Sequence, residues 1–579
     1  MIDRRLKFVN TLEKFLTTKI PEWQSPLPFE EPPAFAEDFD VALPCFALAK
    51  LRKESPQKCA EWVSELVSAE KAQLGVKRAE VLKGFLNIQM ETEQLSKALG
   101  SRFDDPLGES RTALKGEKAL IEFSSPNIAK PFGIGHLRST NIGAAISRIY
   151  KALGSEVIRI NHLGDWGTQF GKIITAYKRF GSAEFVKGDP VNNLYKLYVT
   201  YHEKEAEDPA LLDEAREWFA KLEAGDSEAV ELWKWFKDVS YHEFKRLYDR
   251  LGVDFDYVTG ESFYSELMPK TIERLEKQGL LVESEGARIV DLEAEGMPPC
   301  IVVKSDGSTI YATRDLSTAE YRAKTFQFTR MVYVVGGEQI LHFRQFLKVL
   351  EKMGYAWAKN CTHVSFGLIK FPEGKMSSRK GNLVLLESVL DQAESEALTI
   401  VREKNADKPQ DRKLSETEEA EVAKRVGMGA VIFFDLHAKR TKDIMFDWKT
   451  ILNFEGDSGP YLQYSVVRLN SLLERATTEG LKFSKKDIPE LETLEERALA
   501  RKLLRFPAVV EAAAREYEPS IISHELLDLA AVFNRFYMNV PVLKGEEKLR
   551  AGRMQLIAFT KSVLQLGLGL LGIQSPERM

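Results

Sequence analysis

The sequence predicts an α/β protein, with a Rossmann-like parallel-sheet domain between an N-terminal α/β accessory domain and a C-terminal all-helical domain. Three observations predict it. Strand-like and helix-like segments alternate between residues 119 and 335, as they do in parallel sheets with helical crossovers. Polar, glycine-bearing stretches follow several of the strand-like segments, where such sheets bind ligands. Beyond residue 406 the apolar spacing is almost entirely helical.

The length of the chain indicates several domains, and we predict three. A chain of 579 residues is too long for one core, and roughly 150 residues per domain gives about three or four units. We place the accessory domain at residues 1–105 and the parallel-sheet domain at 106–405, with a helical insertion at about 184–250. The helical domain covers residues 406–579.

Composition excludes several classes of protein. No apolar run approaches the roughly 18 residues of a membrane span, and the first residues lack an apolar signal region, so we expect a cytoplasmic protein without a membrane association. The net charge of −5 does not indicate a nucleic-acid binder, although a local basic face would suffice. The cysteines have no paired spacing and indicate neither disulfides nor a metal site; they are Cys45, Cys59, Cys300 and Cys361.

Two regions have helix and strand patterns but no candidate catalytic or binding residues. Residues 6–15 have helical apolar spacing, and residues 84–90 alternate as a strand, both within the accessory domain. In the insertion, four aromatic residues lie on one face of amphipathic helices, which favours packing on the sheet over stacking on bases. These aromatic residues are Trp218, Trp233, Trp235 and Phe236.

A strand, a turn and a helix start occur together in residues 119–150. Residues 119–123 form a short buried strand, and a helix is expected from Ser139. Gly133 and Gly135 allow the backbone to approach a ligand, and the following helix N-terminus offers unpaired N–H groups to an anion. The stretch predicts a nucleotide pocket just before Leu137. The alternative is an ordinary turn with His136 at the surface.

Two further polar stretches follow predicted strands. The strand 156–160 leads to Asn161–Gly171, where Asp165 is the acidic candidate, and the strand 331–335 leads to Gln339 and His342. Ligands of parallel sheets lie at the carboxyl ends of strands, so both stretches are candidates for substrate lining. A structural turn around Asp165 and a structural His342 are the alternatives.

Tyr311 and Asp315 form a candidate cation site. They follow a predicted hairpin with its turn at Asp306, and they share a side if the next helix, expected near Thr313, begins early enough. An ionised carboxylate with a phenolic neighbour suits a guanidinium, which donates two parallel hydrogen bonds. Alternatively, Asp315 only stabilises the positive end of the helix.

A glycine-bounded loop at residues 374–382 carries three cations. Lys375, Arg379 and Lys380 lie close together in it. A cationic loop that closes over a leaving group with growing negative charge would stabilise the transition state more than the bound substrate. A basic surface loop is the alternative.

The order of these motifs resembles class I arginyl-tRNA synthetases over nearly the whole chain. Residues 125–140 resemble their ATP motif, residues 164–171 keep the family wording intact, and Lys375-Met-Ser377 resembles the second class I motif. The helical segments 459–468 and 536–540 resemble the family's anticodon-binding domain. This chain departs at Gly133, where the family usually has a first histidine, and at Ser378, where it usually has a second lysine; Arg379 and Lys380 are the candidate replacements for that lysine.

The resemblance implies an activity and a set of roles. The family ligates L-arginine to tRNA through an arginyl-adenylate, releasing AMP and pyrophosphate; Mg²⁺ accompanies ATP, and bound tRNA is required for the first step. It implies tRNA, arginine and ATP as partners of a monomer without a protein-bound metal, and an N-terminal domain that touches the tRNA elbow. The implied catalytic residues are Gly135, His136, Lys375 and Ser377; the implied substrate-binding residues are Glu122, Asn127, Glu261, Tyr311, Asp315 and Gln339; and the implied ATP-binding residues are Gly133, His136, Asp165, His342, Lys375 and Met376.

Several alternatives stay open at the level of sequence. A paralogue that binds tRNA or arginine but has lost ligation is supported by Gly133 and Ser378 alone. A synthetase for another amino acid is disfavoured by the Tyr311–Asp315 pair and by the absence of paired cysteines of the zinc type. The accessory domain could be a generic helical unit, and the C-terminal aromatic residues could stack on bases or fill the core.

Overall fold

The computed structural model describes residues 6–370 and 384–579, without the side chain of Ala34. These residues form two compact units. The first combines residues 1–113, 401–429 and 453–579, and the second combines residues 114–400 and 430–452. The unit boundaries therefore differ from the three predicted domains: the accessory domain and most of the C-terminal helices fall in one unit, and residues 430–452 belong with the sheet.

The second unit is built on a five-stranded sheet in which every pair of neighbouring strands is parallel. The spatial order β11-β10-β4-β5-β6 starts at the centre with β4, moves outward to β6 and returns to β10 beside β4. A crevice is expected where the order reverses, at the carboxyl ends of β4 and β10. The strands are β4 Lys118–Glu122, β5 Glu156–Leu163, β6 Tyr257–Gly260, β10 Arg330–Gly336 and β11 Cys361–Phe366.

Helices cover this sheet, and a small antiparallel sheet, β7-β8-β9, adjoins them. The predicted insertion at 184–250 is helical, as α8 to α11. The other elements of the unit are α6 Gly135–Ala152, α7 Thr168–Phe180, α8 Ala183–Gly188, α9 Pro190–Glu205, α10 Ala210–Glu223, α11 Ser227–Leu251, α12 Glu261–Tyr264, α13 Met268–Lys277, β7 Leu281–Ser284, β8 Ala287–Val290, β9 Cys300–Val303, α14 Tyr311–Phe326, α15 Ile340–Lys352, β12 Ile369–Lys370, β13 Ile444–Met445 and α18 Trp448–Ile451.

Two helices begin earlier than the sequence predicts. Helix α6 begins at Gly135 rather than at Ser139, because the chain turns directly after Gly133, whose carbonyl accepts from the backbone N–H of His136. Helix α14 begins at Tyr311 rather than near Thr313. The predicted second hairpin strand is reduced to a single bridge between Val303 and Thr309, because the chain becomes helical two residues later.

Arg138 anchors α6 inside the second unit. Its buried guanidinium donates to Asp435 at 2.9 Å, and to the carbonyls of Gly367 and Lys442 at 2.9 and 2.8 Å. Asn141, one turn further along α6, donates to the other oxygen of Asp435 at 3.0 Å. Burial raises the pKa of Asp435, and Arg138 acts against that rise. One side chain thus ties α6 to the chain beyond β11 and to the segment before β13.

The first unit combines a three-stranded antiparallel sheet, β1-β3-β2, with long helices. Arg497 of α20 is buried against the sheet: it donates to Asp40 at 2.6 Å and to the carbonyl of Met90 at 3.1 Å. Helices α16 and α17 cross the limits of the two units. The remaining elements are α1 Lys7–Lys19, β1 Val41–Pro44, α2 Phe46–Arg52, α3 Pro56–Ala69, α4 Lys71–Leu74, β2 Val76–Leu82, β3 Phe85–Met90, α5 Thr92–Gly100, α16 Leu386–Ala406, α17 Glu416–His437, α19 Gly459–Thr478, α20 Leu494–Glu516, α21 Ser520–Asn539 and α22 Glu547–Leu571.

Helix α22 is the one described helix whose length and apolar composition would allow it to cross a membrane. Its most apolar window is 67% buried among the other residues of the protein. Side chains such as Leu556, Ile557 and Phe559 are almost fully enclosed. This burial is typical of a core helix.

We predict that Asp435→Ala lowers the free energy of unfolding by about 3–5 kcal/mol, because it leaves the Arg138 guanidinium buried without its counter-charge. The matched control is Asp213→Ala, which removes an exposed pair with Arg216 (3.0 Å) and should cost less than about 1 kcal/mol. Urea unfolding of both variants measures the difference. Equal losses would show that the buried pair does not anchor α6.

Candidate active site

The predicted site residues come from several elements that meet at one edge of the parallel sheet. Glu122 is the last residue of β4, Asp165 follows the end of β5, and Glu261 directly follows β6. Asp315 lies in the first turns of α14, and Gln339 follows β10. This edge contains the point where the strand order reverses, as expected for a ligand site in such sheets.

Glu122 is held by a cation that the sequence analysis missed. It is only 7% exposed, and it accepts a hydrogen bond from the fully buried guanidinium of Arg322 on α14. Burial acts against the charge of Arg322, but Glu122, Tyr264 and Tyr333 together raise the pKa of the guanidinium. His162 lies 3.4 Å from Arg322, and burial lowers the pKa of its imidazole. Glu122 is thereby fixed in position at the floor of the crevice.

Tyr311 and Asp315 lie on one side of α14, the side that faces α15. Asp315 Oδ2 is 2.6 Å from Nε2 of His342, and the rings of Tyr311 and His342 are 6.2 Å apart. The phenol of Tyr311 is 66% exposed, so it is free to contact a ligand. Because the helix begins at Tyr311, the condition set by the sequence analysis for a shared side is met.

Glu261 lies close to Asp315 and is paired with Arg314. The guanidinium of Arg314 donates to Glu261 at 2.6 Å. Burial raises the pKa of Glu261 to about 7; Arg314 opposes this rise, and the negative charges of Asp315 and Asp165 add to it. Arg314 is the neighbour of Asp315 in sequence, but its partner Glu261 is 53 positions away. No local sequence pattern therefore predicts this pair.

Asp165 is buried beneath this group of carboxylates. It accepts from the backbone N–H and hydroxyl of Ser262 at 2.9 and 2.8 Å, and from the ammonium of Lys237 at 2.6 Å. A Cβ at Gly260 would lie 2.1 Å from its carboxylate, so only glycine fits there. Asp165 therefore supports the start of α12, where Glu261 lies, and its oxygens face the protein.

Asn127 lies at the mouth of the crevice. It is exposed, and its backbone bridges to Gly164 after β5. A Cβ at Gly164 would lie 1.9 Å from Asn127 Oδ1, so the side chain of Asn127 packs directly on glycine backbone. Gln339 is also exposed and has no hydrogen-bond partner among the residues the structure describes. Both amides are available to a ligand.

The expected nucleotide end lies at the start of α6. Gly133 is buried and pairs with Leu385, while Ile134 donates to the carbonyl of Val384 at 3.0 Å. Gly135 is exposed at the helix start, and a Cβ added there would meet no described atom within 4 Å. Within the described residues, Gly135 therefore presents open backbone to a ligand, while Gly133 does not.

His136 adds a polar group to this end. Its Nδ1 is buried and finds no hydrogen-bond partner in residues 6–370 and 384–579. Burial lowers the pKa of the imidazole, so the ring is neutral near pH 7. Since an unpaired buried nitrogen is costly, a ligand atom would satisfy it. The predicted Lys375, Met376 and Ser377, with Ser378, Arg379 and Lys380, lie outside the described residues.

Metal-ligand clusters are absent from the described part of the chain, where no group of three or more His, Cys, Asp or Glu side chains could hold an ion. All four cysteines are free and buried. Burial raises the pKa of Cys45, Cys300 and Cys361 to about 12, which keeps these thiols protonated. The predicted site residues that the structure describes carry carboxylate, phenol, imidazole and amide groups.

The structure also shows which residues of the C-terminal segments are buried and which are exposed. Phe536 and Gln463 are fully buried and belong to the core. Tyr537 is half-buried under the guanidinium of Arg468, which lies 4.3 Å from its ring centre. Tyr464 is 42% exposed on α19. Tyr464 is therefore the best placed of these aromatic residues to contact a base.

Known protein families match the chain along most of its length. The family described as "tRNA synthetases class I (R), catalytic domain" matches residues 105–448, "DALR anticodon binding domain" matches residues 462–579, and "Arginyl tRNA synthetase N terminal domain" matches residues 6–90. The three matches follow one another along the chain without overlap.

Individual relatives agree with these families. An arginine–tRNA ligase of Clostridium perfringens is 46% identical over 95% of both chains, and one of Halothermothrix orenii is 43% identical over 100% of both. The solved arginyl-tRNA synthetase of Thermus thermophilus is 26% identical over the full length of both chains, with a TM-score of 0.80. The chain therefore belongs to the arginyl-tRNA synthetase family of the class I aminoacyl-tRNA synthetases.

Proposed function

We propose that this enzyme ligates L-arginine to tRNA in two steps at the edge of the parallel sheet. The carboxylate of arginine attacks the α-phosphorus of ATP, the bond to the β-phosphate breaks, and pyrophosphate leaves. A hydroxyl of the terminal tRNA ribose then attacks the carbonyl of the arginyl-adenylate, and AMP leaves. Neither step needs a covalent enzyme intermediate, since positioning and charge stabilisation carry them.

The observation that carries this proposal is the group formed by Tyr311, Asp315 and Glu261. An exposed phenol and two carboxylates at the start of α14 fit a planar guanidinium, which forms bidentate hydrogen bonds and stacks on aromatic rings. We assign these three residues to the arginine side chain. We assign Glu122, Asn127 and Gln339 to the α-amino and α-carboxylate groups of arginine. Glu122 is an anion held in a fixed position, and Asn127 and Gln339 are amides whose polar atoms are available to a ligand.

The charges of the site support arginine over a neutral substrate. Three carboxylates are present, and two of them are paired with Arg322 and Arg314, while Asp315 is paired with His342. Counting the three carboxylates and the two guanidiniums, the group carries a net charge of −1 when Glu261 is ionised. Bound arginine has a net charge of +1, so the filled site is neutral, which reduces the cost of burying its charges.

ATP is assigned to the start of α6. Gly135 would let the phosphates approach the backbone, and His136 would donate to them. His342 lies between the two ends of the site and suits contact with both substrates. Lys375, Met376 and Ser377 are assigned to the departing pyrophosphate on the sequence motif alone. Asp165 is assigned a supporting role, since its oxygens are taken by Ser262 and Lys237.

Mg²⁺ enters as part of the substrate. Without a cluster of three acidic or imidazole ligands in the described residues, the ion would be held by ATP phosphates and water, which is its usual preference. The working form is proposed to be a monomer in the cytoplasm, where tRNA and ATP are present. The matched N-terminal family supports contact with tRNA, and its place at the tRNA elbow is proposed.

We predict that Asp315→Asn raises the KM for arginine while leaving the KM for ATP unchanged. The amide keeps the shape but removes the charge that faces the guanidinium, a loss of roughly 2–5 kcal/mol for a desolvated pair. Steady-state aminoacylation with each substrate varied measures it. An unchanged KM for arginine with normal turnover would contradict the assignment.

We predict that arginine binding weakens as pH falls through about 7, the pKa of Glu261. Protonation removes a negative charge that attracts the substrate, so the KM for arginine should rise about tenfold from pH 8 to pH 6. Glu261→Gln has no proton to gain there and should flatten the profile at a high KM. A parent profile that is already flat would exclude Glu261 from the pocket.

We predict that Tyr464→Ala raises the KM for tRNA about tenfold, because stacking on one base is worth roughly 1–3 kcal/mol. Tyr464→Phe keeps the ring and should behave as the parent protein. Aminoacylation with tRNA varied at constant salt measures both variants. If the alanine variant matches the parent, this face of α19 does not contact unpaired bases.

A further inference from the structure

Helix α11 of the insertion holds Asp165 with two side chains. Lys237 donates from its ammonium to Oδ2 of Asp165 at 2.6 Å. Trp233, one turn earlier on the helix, donates from its indole N–H to the backbone carbonyl of Asp165 at 2.8 Å. The ammonium of Lys237 also lies 5.1 Å from the ring centre of Trp233. The helix therefore fixes both the side chain and the backbone of Asp165.

The carboxylate of Asp165 depends on the charge of Lys237, because it is completely buried. Within the part of the chain that the structure describes, Lys237 is its only ion-pair partner. The other donors to its oxygens are the backbone N–H and the hydroxyl of Ser262, and both are uncharged. Since a buried carboxylate without a counter-charge is unfavourable, the loss of Lys237 would displace Asp165.

Asp165 passes this support on to Glu261. Its carboxylate binds Ser262, the residue directly after Glu261, at the start of α12. On the other side, a Cβ at Gly260 would lie 2.1 Å from the carboxylate of Asp165, so the backbone of Gly260 packs tightly on it. A shift of Asp165 would therefore move both chain neighbours of Glu261.

The same helix is anchored further along the crevice. The hydroxyl oxygen of Ser240 accepts from the backbone N–H of Ala129 at 2.9 Å, and the hydroxyls of Tyr248 and Ser124 are 2.8 Å apart. Ser124 and Ala129 follow β4, whereas Asp165 follows β5. Helix α11 is thus joined to the segments after two neighbouring strands and gives Asp165 a fixed support.

We propose that Lys237 and Trp233 are positioning residues for arginine, which act through Asp165 to keep the carboxylate of Glu261 oriented towards the guanidinium. The proposal rests on the function proposed above, because it takes Glu261 as part of the arginine pocket. Residues that contact a ligand stay in a productive geometry only when a supporting set of side chains fixes them. Neither Lys237 nor Trp233 needs to touch the substrate itself.

The variant Lys237→Met tests the proposal, because it removes the charge and keeps an unbranched side chain. We expect the KM for arginine to rise about tenfold, while the KM for ATP stays unchanged. The matched control is Lys172→Met, which removes a pair with Glu205 (2.8 Å); the side chain of Lys172 is 20% exposed and that of Lys237 is 29% exposed. Urea unfolding should show similar losses of stability, and the control should keep the parent KM for arginine.

A double-mutant cycle shows whether Lys237 acts through Asp165. If it does, Lys237→Met added to Asp165→Asn should raise the KM for arginine no further than Asp165→Asn alone. Effects that multiply would place Lys237 in contact with the substrate and overturn the positioning role.

The remaining outcomes separate this inference from the proposed function. An unchanged KM for arginine in Lys237→Met, an equal rise in Lys172→Met, or a matching rise in the KM for ATP overturns the inference. The proposed function survives such a result if Asp315→Asn raises the KM for arginine, whereas a parent protein that does not charge tRNA refutes both. If Lys237→Met fails to fold, Trp233→Phe decides: it keeps an aromatic ring without the N–H donor, and an unchanged KM for arginine overturns the inference.

Discussion

The architecture of the site depends on one buried guanidinium. Arg138 lies within the predicted nucleotide motif and donates hydrogen bonds to Asp435 and to two backbone carbonyls from distant parts of the chain. Nε and Nη1 of Arg138 are hydrogen-bonded to these three groups, so the four groups define each other's positions, while Nη2 has no partner among the described residues. The start of α6, where we propose that Gly135 and His136 contact the phosphates of ATP, is thereby fixed relative to the sheet. A nucleotide site needs this rigidity, since catalysis by positioning loses its effect when the groups move.

Paired charges also determine the structure of the pocket that we assign to arginine. Each carboxylate that we assign to the substrate already has a cationic neighbour or an imidazole: Arg322 for Glu122, Arg314 for Glu261 and His342 for Asp315. These neighbours allow three carboxylates to lie close together without strong repulsion, and they hold the carboxylates in place before arginine arrives. The residual charge is small, which fits the single guanidinium that we propose for this pocket. A preorganised set of this kind binds with less ordering cost than a flexible one.

Sequence reasoning reached the parallel sheet, the strand-end motifs and the family, because continuous apolar strands, glycines and polar turns are local patterns. Sequence reasoning could not identify which residues form ion pairs with the charged side chains. Arg322 and Glu122 are 200 positions apart, and Arg138 and Asp435 are 297 apart, so no spacing announces either pair. The predicted starts of α6 and α14 lie too late in the sequence, because turn contacts and packing add residues of weak helix preference to the beginning of both helices. The role that sequence reasoning assigns to Asp165 stays a prediction, and the structure adds that this carboxylate faces Ser262 and Lys237.

The central claim is that this site activates arginine, despite Gly133 in place of the usual histidine. Arginine-dependent exchange between ATP and pyrophosphate, measured with and without tRNA, tests it most directly. The account predicts exchange with arginine and tRNA, little exchange without tRNA, and none with citrulline, which has nearly the shape of arginine but no charge on its side chain. Absence of exchange with arginine in the presence of tRNA, or equal exchange with citrulline, would contradict it.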